Sequence, residues 1–258
     1  MSWHLDGTTA TYRSPAGTIV FDLAAPRLGC RIDEAGPAEV WGAIFGNLAP
    51  PAPEIEERYV RGSDLVIRYV ESPETDLATT VAWRADSVTA MTASGPVVGL
   101  SLGLVVAVRT STLGTQPIGE LRSLWPFADA RRHWVWGNEA ATGEPVEAWH
   151  GSAEHPLTWF PDGGSNDQDT WGALVESQRT RLAWLAPADG AFDRNEVVGG
   201  DGRHGTAETI QSLRLELLEK GVIRSVSARY VRWPGTVERD ELKRIAAEFY
   251  DLPLPLSS

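Results

Sequence analysis

The 258-residue chain sets 23 Lys and Arg against 35 Asp and Glu, a formal net charge of −12, and holds 25 Gly, 17 Pro and 42% hydrophobic residues. No Lys/Arg-rich run occurs in it, which argues against nucleic acid as a partner because phosphate binding needs a concentrated basic surface. The composition is that of a globular, turn-rich chain, and roughly 200–250 residues is an ordinary size for one β-sandwich or barrel.

The first residues, Met1-Ser-Trp-His-Leu-Asp6, lack the basic and apolar regions of a secretory signal. Cys30 is the only cysteine, so an intrachain disulfide and every Cys-based metal pattern are excluded, and a reducing cytoplasm is the expected compartment. Lys220 and Lys243 are the only lysines; a GC-rich coding bias is the ordinary source of such a skew toward Arg, which is also the better fork for carboxylates and hydroxyls. Pro50-Pro-Ala-Pro53 is the most linker-like stretch, but residues of strand character flank it on both sides. The expectation is therefore a single domain over residues 1–258.

Residues 57–61 and 65–70 flank Gly62-Ser63-Asp64, a three-residue hairpin signal. A further strand is expected over 79–85. The uncharged run 87–108 is interrupted by Ser94-Gly95-Pro96, which predicts two strands joined by a turn rather than a membrane span. The clearest strand signal runs from Gly99 to Arg109. There Leu100, Leu102, Leu104, Val106 and Val108 share one face, and Gly99, Ser101, Gly103, Val105 and Ala107 share the other. The bulky face belongs in a core; the small face admits close approach by a second sheet or by a ligand.

Strands are also expected over 132–136, 172–176, 181–185, 211–218 and 222–233, the last two joined as a hairpin by Glu219-Lys220-Gly221. Gly199-Gly-Asp-Gly202, read with no strand before it, is a flexible turn rather than a phosphate loop. One amphipathic helix is predicted over 237–250: Leu242, Ile245, Ala246 and Phe249 fall on one stripe, Thr236 caps it, and Glu238, Asp240 and Glu241 occupy the first turn. It is expected to pack across a sheet as a lid, and Leu252-Pro-Leu-Pro255 ends it. The fold class expected is mainly β, a large antiparallel β-sandwich with one C-terminal helix.

Chemistry concentrates in one window. Seven of the eleven tryptophans and three of the five histidines fall between Trp125 and Trp184. A strand over 132–136 puts Trp134 and Trp136 on one face and His133 and Val135 on the other, so His133 and these indoles share a pocket only if a bulge intervenes. Downstream, Trp149-His150, His155 and Trp159 lead into the polar loop Asp162, Asn166, Asp167 and Asp169, closed by Trp171. Carboxylates and an amide between two indoles suit a pyranose, with hydroxyls paired to Asp or Asn and C–H faces laid on Trp. A solvated turn between two buried tryptophans has the same composition.

Metal and nucleophile patterns fail. An EF-hand starting at Asp167 would place Trp171 and Gln178 where oxygen ligands belong. His150 and His155 lack a His-Glu-x-x-His frame, and no Gly-x-Ser-x-Gly elbow exists. No cofactor and no metal are expected.

Antiparallel strands, abundant aromatics and a late hairpin together resemble the galactose mutarotase-like super-sandwich, a group of aldose epimerases and β-domains of polysaccharide-processing enzymes. Thr170-Trp-Gly-Ala-Leu-Val-Glu176 followed by Arg181-Leu-Ala-Trp-Leu-Ala-Pro187 is similar to a hairpin of such domains. Leu218-Glu-Lys-Gly-Val-Ile-Arg224 with Ala246-Ala-Glu-Phe-Tyr250 resembles bacterial proteins of planctomycete type. The resemblance implies a glycan-facing sheet and, in epimerases, a His acid and a Glu base serving the ring oxygen and anomeric hydroxyl. The Asn-His-x-x-Phe-Asn signature that would place the acid is missing, which leaves His133, His150 or His155 as acid and Glu139, Glu147 or Glu176 as base. Three readings stay open: a carbohydrate-binding protein with or without epimerase or lyase-like activity, a non-catalytic structural or interaction module, and a metal-dependent β-barrel enzyme.

Overall fold

The computed structural model describes the backbone of residues 2–33, 39–92, 94–126, 132–136, 146–150, 172–176, 180–185, 192–199, 206–214, 218–235, 241, 244 and 248, and side chains in 2–32, 39–92, 94–124, 218–235, 241, 244 and 248. Its strands form two antiparallel sheets, the β-sandwich expected. The eight-stranded sheet contains β1 (Trp3–Asp6), β2 (Thr9–Ser14), β3 (Gly17–Asp22), β4 (Cys30–Asp33), β5 (Glu39–Gly46), β10 (Ile118–Pro126), β15 (Phe192–Gly199) and β16 (Thr206–Arg214). The nine-stranded sheet contains β6 (Ile55–Arg61), β7 (Asp64–Tyr69), β8 (Ala78–Thr92), β9 (Gly95–Arg109), β11 (Arg132–Trp136), β12 (Val146–His150), β13 (Gly172–Glu176), β14 (Thr180–Leu185) and β17 (Ile223–Pro234). Their spatial orders are β1-β2-β3-β4-β5-β10-β16-β15 and β12-β11-β13-β14-β17-β9-β8-β7-β6.

Period-two patterning explains which faces meet. Ala10 and Tyr12 of β2 and Ile19 and Phe21 of β3 are buried against Leu65 and Ile67 of β7, Val81 and Trp83 of β8, and Leu100, Leu102, Leu104, Val106 and Val108 of β9, all in one core cluster. The bulky face of β9 therefore enters the core as its alternation predicts. Aromatic pairs link the sheets: Phe21 meets Trp83 edge-on at 5.3 Å, and Trp41 stacks on Tyr230 at 5.7 Å, each pair adding about 0.5–1.5 kcal/mol beyond its buried area. Polar ties cross the same gap, from the Tyr69 hydroxyl to the Leu23 carbonyl at 2.9 Å and from Trp3 Nε1 to the Ser63 carbonyl at 3.0 Å.

The sheets approach closely at Gly42. Ser123 of β10 faces both Trp41 and Gly42 of β5, a bulge that shifts the register between Arg122 and Leu124. Gly42 has φ +58°, and its N–H donates to Ser123 Oγ at 3.1 Å. A Cβ here would stand 2.7 Å from Trp83 Cη2 and 3.0 Å from Leu104 Cδ2.

Three local expectations are corrected. Asp64 pairs with Arg61 as the first residue of β7, so the hairpin turn is Gly62-Ser63; the Asp64 carboxylate is held by Arg84 across the next strand pair. A strand, β15, does run up to Gly199, and it pairs with β16; Gly200, Asp201 and Gly202 lie outside the described residues. The segments over 211–218 and 222–233 do not pair with each other. β16 lies between β10 and β15, while β17 lies between β9 and β14. Leu218 bridges Thr115, and the Gly221 N–H donates to the Thr110 carbonyl. The chain thus turns against the β9-to-β10 crossover and passes from one sheet to the other with it.

Glu241, Arg244 and Glu248 are helical; the rest of the expected helix 237–250 lies outside the described residues. Arg244 Nη2 donates to the Thr89 carbonyl at 3.0 Å and Glu241 accepts from the Met91 N–H at 3.4 Å. These side chains cover backbone groups on the outer edge of the β8 arm, a common protection of an exposed strand. No helix among the described residues is long and apolar enough to cross a membrane.

Cys30 is buried, and burial pushes its thiol well above the usual range. Since the thiolate is the reactive form, native protein should leave iodoacetamide unreacted at neutral pH and take up one equivalent only after denaturation. Mass spectrometry reads the difference, and rapid labelling of folded protein would contradict this burial.

Candidate functional site

The nine-stranded sheet turns one face to the core and carries charge on the other. Residues in register across an antiparallel ladder share a face, as do alternate residues along a strand. With Leu100, Leu102 and Leu104 inward, the outer face takes Gly99, Ser101 and Gly103 of β9, Arg84 and Asp86 of β8, and Arg229 and Val231 of β17. Arg84 and Arg229 flank Gly103 in one row, so their Cα atoms stand about 10 Å apart on either side of a residue with no side chain.

The two arginines are served differently. Arg84 forms a bidentate pair with Asp64, at 2.7 Å from Nε to Oδ1 and 3.1 Å from Nη2 to Oδ2, which raises its pKa against a smaller opposing effect of burial. Arg229 donates from Nε to Ser101 Oγ at 2.8 Å, and its Nη1 is buried without a hydrogen-bond partner. Burial lowers its pKa, opposed by the charges of Glu248 and Asp86.

The register extends this face to the residues singled out in the sequence. Arg229 continues through Leu185 and Gly172 to Trp136. Ser101 continues through Val231, Ala183 and Leu174 to Trp134 and then Glu147. Trp233 continues through Arg181, Glu176 and Arg132 to His150. Glu147, Glu176, His150, Trp134 and Trp136 therefore occupy positions on the same sheet face as Arg84 and Arg229.

His133 and Trp149 pair with each other and fall in the row of Val175, Leu182 and Arg232. That is the core-facing row: Arg232 pairs in register with Leu100 and forms an ion pair with Glu39 of the other sheet at 3.0 Å. A bulge does intervene, on β12. His133 faces Trp149 whereas Trp134 faces Glu147, so Ala148 is the extra residue and Glu147 and Trp149 fall in rows of opposite face. Glu139, His155, Trp159, Asp162, Asn166, Asp167, Asp169 and Trp171 lie outside the described residues.

A shallow groove of about 240 Å³ lies farther along the same face, lined by Arg68, Thr80, Ala107, Arg109 and Ile223 among others. Among the described residues no group of three or more His, Cys, Asp or Glu is placed to hold a metal ion. Sequence reasoning missed Asp64, Arg84 and Arg229. The alternation of β9 flagged the small face they border, but only the pairing of β8, β9 and β17 brings two distant arginines to it.

No protein-family model matches the chain, and no curated protein matches it. Among solved structures it is similar to one described as a crystal structure analysis of HI1317, at 9% identity and a TM-score of 0.44, over 86% of this chain and 91% of that one. It is also similar to heparinase III, the BT4657 gene product with methylated lysines, at 9% identity and a TM-score of 0.32, over 93% of this chain. The match covers 34% of that protein, so the chain spans about a third of its length.

Proposed function

We propose that the chain is a carbohydrate-binding protein whose ligand lies on the outer face of the nine-stranded sheet, with epimerase or lyase-like chemistry resting on His150 as acid and Glu147 or Glu176 as base. The observation that carries this reading is the register, which collects a histidine, two glutamates and two tryptophans on a sheet face that also bears Arg84, Asp64 and Arg229. Indoles supply flat apolar area for a sugar ring, and carboxylate and guanidinium groups supply partners for its hydroxyls. The acidic loop 162–169 with Trp159 and Trp171 belongs to the proposal as a second stacking element.

The competing reading, a non-catalytic module, draws on the burial of Trp3, Trp41, Trp83 and Trp233, each at most 4% exposed. The same fact makes the test selective, because those four indoles are shielded from quencher. A panel of mono- and oligosaccharides should lower the acrylamide quenching of tryptophan emission, and the change must come from the other seven indoles. Equal quenching with and without every sugar would remove the reading. If the face is catalytic, His150→Gln and Glu176→Gln should each slow sugar mutarotation or lyase turnover by about a hundredfold or more while leaving binding measurable.

A further inference from the structure

β6 is the last described strand on its side of the nine-stranded sheet. Its side chains Glu56, Glu57, Arg58 and Tyr59 are exposed, Tyr59 to 37%. The adjoining turn decides which backbone groups point to that edge. Gly62-Ser63 is a two-residue turn with Gly62 at φ +63°, so Arg61 and Asp64 form a hydrogen-bonded pair and the ladder alternates from there. Tyr59 and Glu57 bond toward Val66 and Arg68 of β7, whereas Arg58 and Val60 turn their N–H and C=O groups the other way. The Val70 N–H, which donates to the Glu54 carbonyl just past the bulge, keeps the same phase. Among the described residues no backbone group bonds Arg58 or Val60 from the outer side.

An antiparallel partner must set outward-facing residues opposite outward-facing residues, which leaves few registers for a second β6. Arg58 opposite Arg58 brings like charges together. Val60 opposite Val60 pairs only Tyr59 with Arg61 before the turn ends the strand. Arg58 opposite Val60 sets Tyr59 against Tyr59 and Glu57 against Arg61 twice, all three pairs on one face. Aromatic and opposite-charge pairs directly across a ladder stabilise it. Charges on an edge strand ordinarily discourage pairing, but these complement their own copy, and the bulge between Ile55 and Glu57 lies just beyond the paired span.

We propose that β6 pairs antiparallel with β6 of a second copy of this chain, centred on Tyr59, forming a dimer with one continuous sheet. Because Tyr59 meets its own copy, the two-fold axis stands perpendicular to the sheet, and the outer faces of both copies lie on one side. Glu57 also pairs with Arg68 of its own chain at 3.2 Å, both side chains being half exposed. Its carboxylate has further acceptor capacity for Arg61 of the second copy.

Sedimentation velocity of the full chain over about a hundredfold range of concentration tests the proposal. The parent should pass from monomer to dimer as concentration rises. Arg58→Pro removes an outward N–H without taking a bond from the β6–β7 ladder, and should weaken the dimer at least about tenfold. Glu57→Arg and Arg61→Glu each oppose like charges and should stay monomeric where the parent dimerises. An equimolar mixture of these two variants restores both ion pairs and should dimerise. The mixture involves no proline, so it decides the matter even if Arg58→Pro loosens the strand. A parent chain monomeric at every concentration would overturn the proposal and leave the edge to a strand of a different protein. A dimer that Arg58→Pro and both charge reversals leave intact, or a mixture no more dimeric than its components, would overturn it as well.

Discussion

Gly42→Ala should unfold at a markedly lower denaturant concentration than the parent chain, with a loss of about 2–5 kcal/mol. Two costs add. A residue with a Cβ at φ +58° pays about 1–2 kcal/mol in the left-handed region, and overpacking a filled core adds about 1–3 kcal/mol. The neighbour cannot yield easily, because Trp83, whose Cη2 would be 2.7 Å away, is itself wedged edge-on against Phe21. Gly7→Ala separates the terms. Gly7 also has positive φ, +54°, but among the described residues nothing lies within 4 Å of its Cβ position, so the backbone cost stands alone. Urea midpoints that fall equally in the two variants would show that the close approach of the sheets at Gly42 is not there.

Arg232→Leu should cost about 3–5 kcal/mol, the usual penalty for stranding one member of a buried ion pair. The pair spans the sandwich, Arg232 on β17 and Glu39 on β5, at 3.0 Å with side chains 13% and 5% exposed. Arg232→Leu combined with Glu39→Leu should recover most of the loss, since an apolar pair of similar size needs no desolvation of charge. Denaturant unfolding of both single variants and the double closes the cycle. Because the pair is sheltered, the coupling should persist in high salt, where an exposed pair would fade. A coupling near zero would mean the two charges are solvated separately.

How far the sequence reached depended on whether a feature was local. The alternation from Leu100 to Val108 reads directly as a strand with its heavy face in the core, and those residues are buried there. β11 and β13 match their expected limits, and the break at Ser94-Gly95-Pro96 does separate two strands. The N-terminal meander of β1 to β4, strands of 4–6 residues, went unread. The supposed final hairpin failed for a physical reason. Two strands separated by a short turn look alike whether they pair or part, and partners contributed by β10 and β9 from far upstream decided the matter. The candidate site divides in the same way. Composition pointed to the stretch from Trp125 to Trp184, but which of its residues share a face is set by one extra residue, Ala148, and by pairings across β13, β14 and β17.

The position of β17 bears on how the chain must be assembled. It is last in sequence among the strands, yet it sits in the interior of the nine-stranded sheet, between β14 and β9. During synthesis at about 5–20 residues per second, β6 to β9 and β11 to β14 emerge first, as two half-sheets with a gap one strand wide. Each half then presents an unpaired backbone edge to its surroundings, and one of those edges belongs to the strongly apolar β9. Closure waits for Ile223–Pro234 to leave the ribosome. The nine-stranded sheet is therefore completed only once β17 has emerged, and a nascent chain stopped short of Ile223 is a reservoir of open edges.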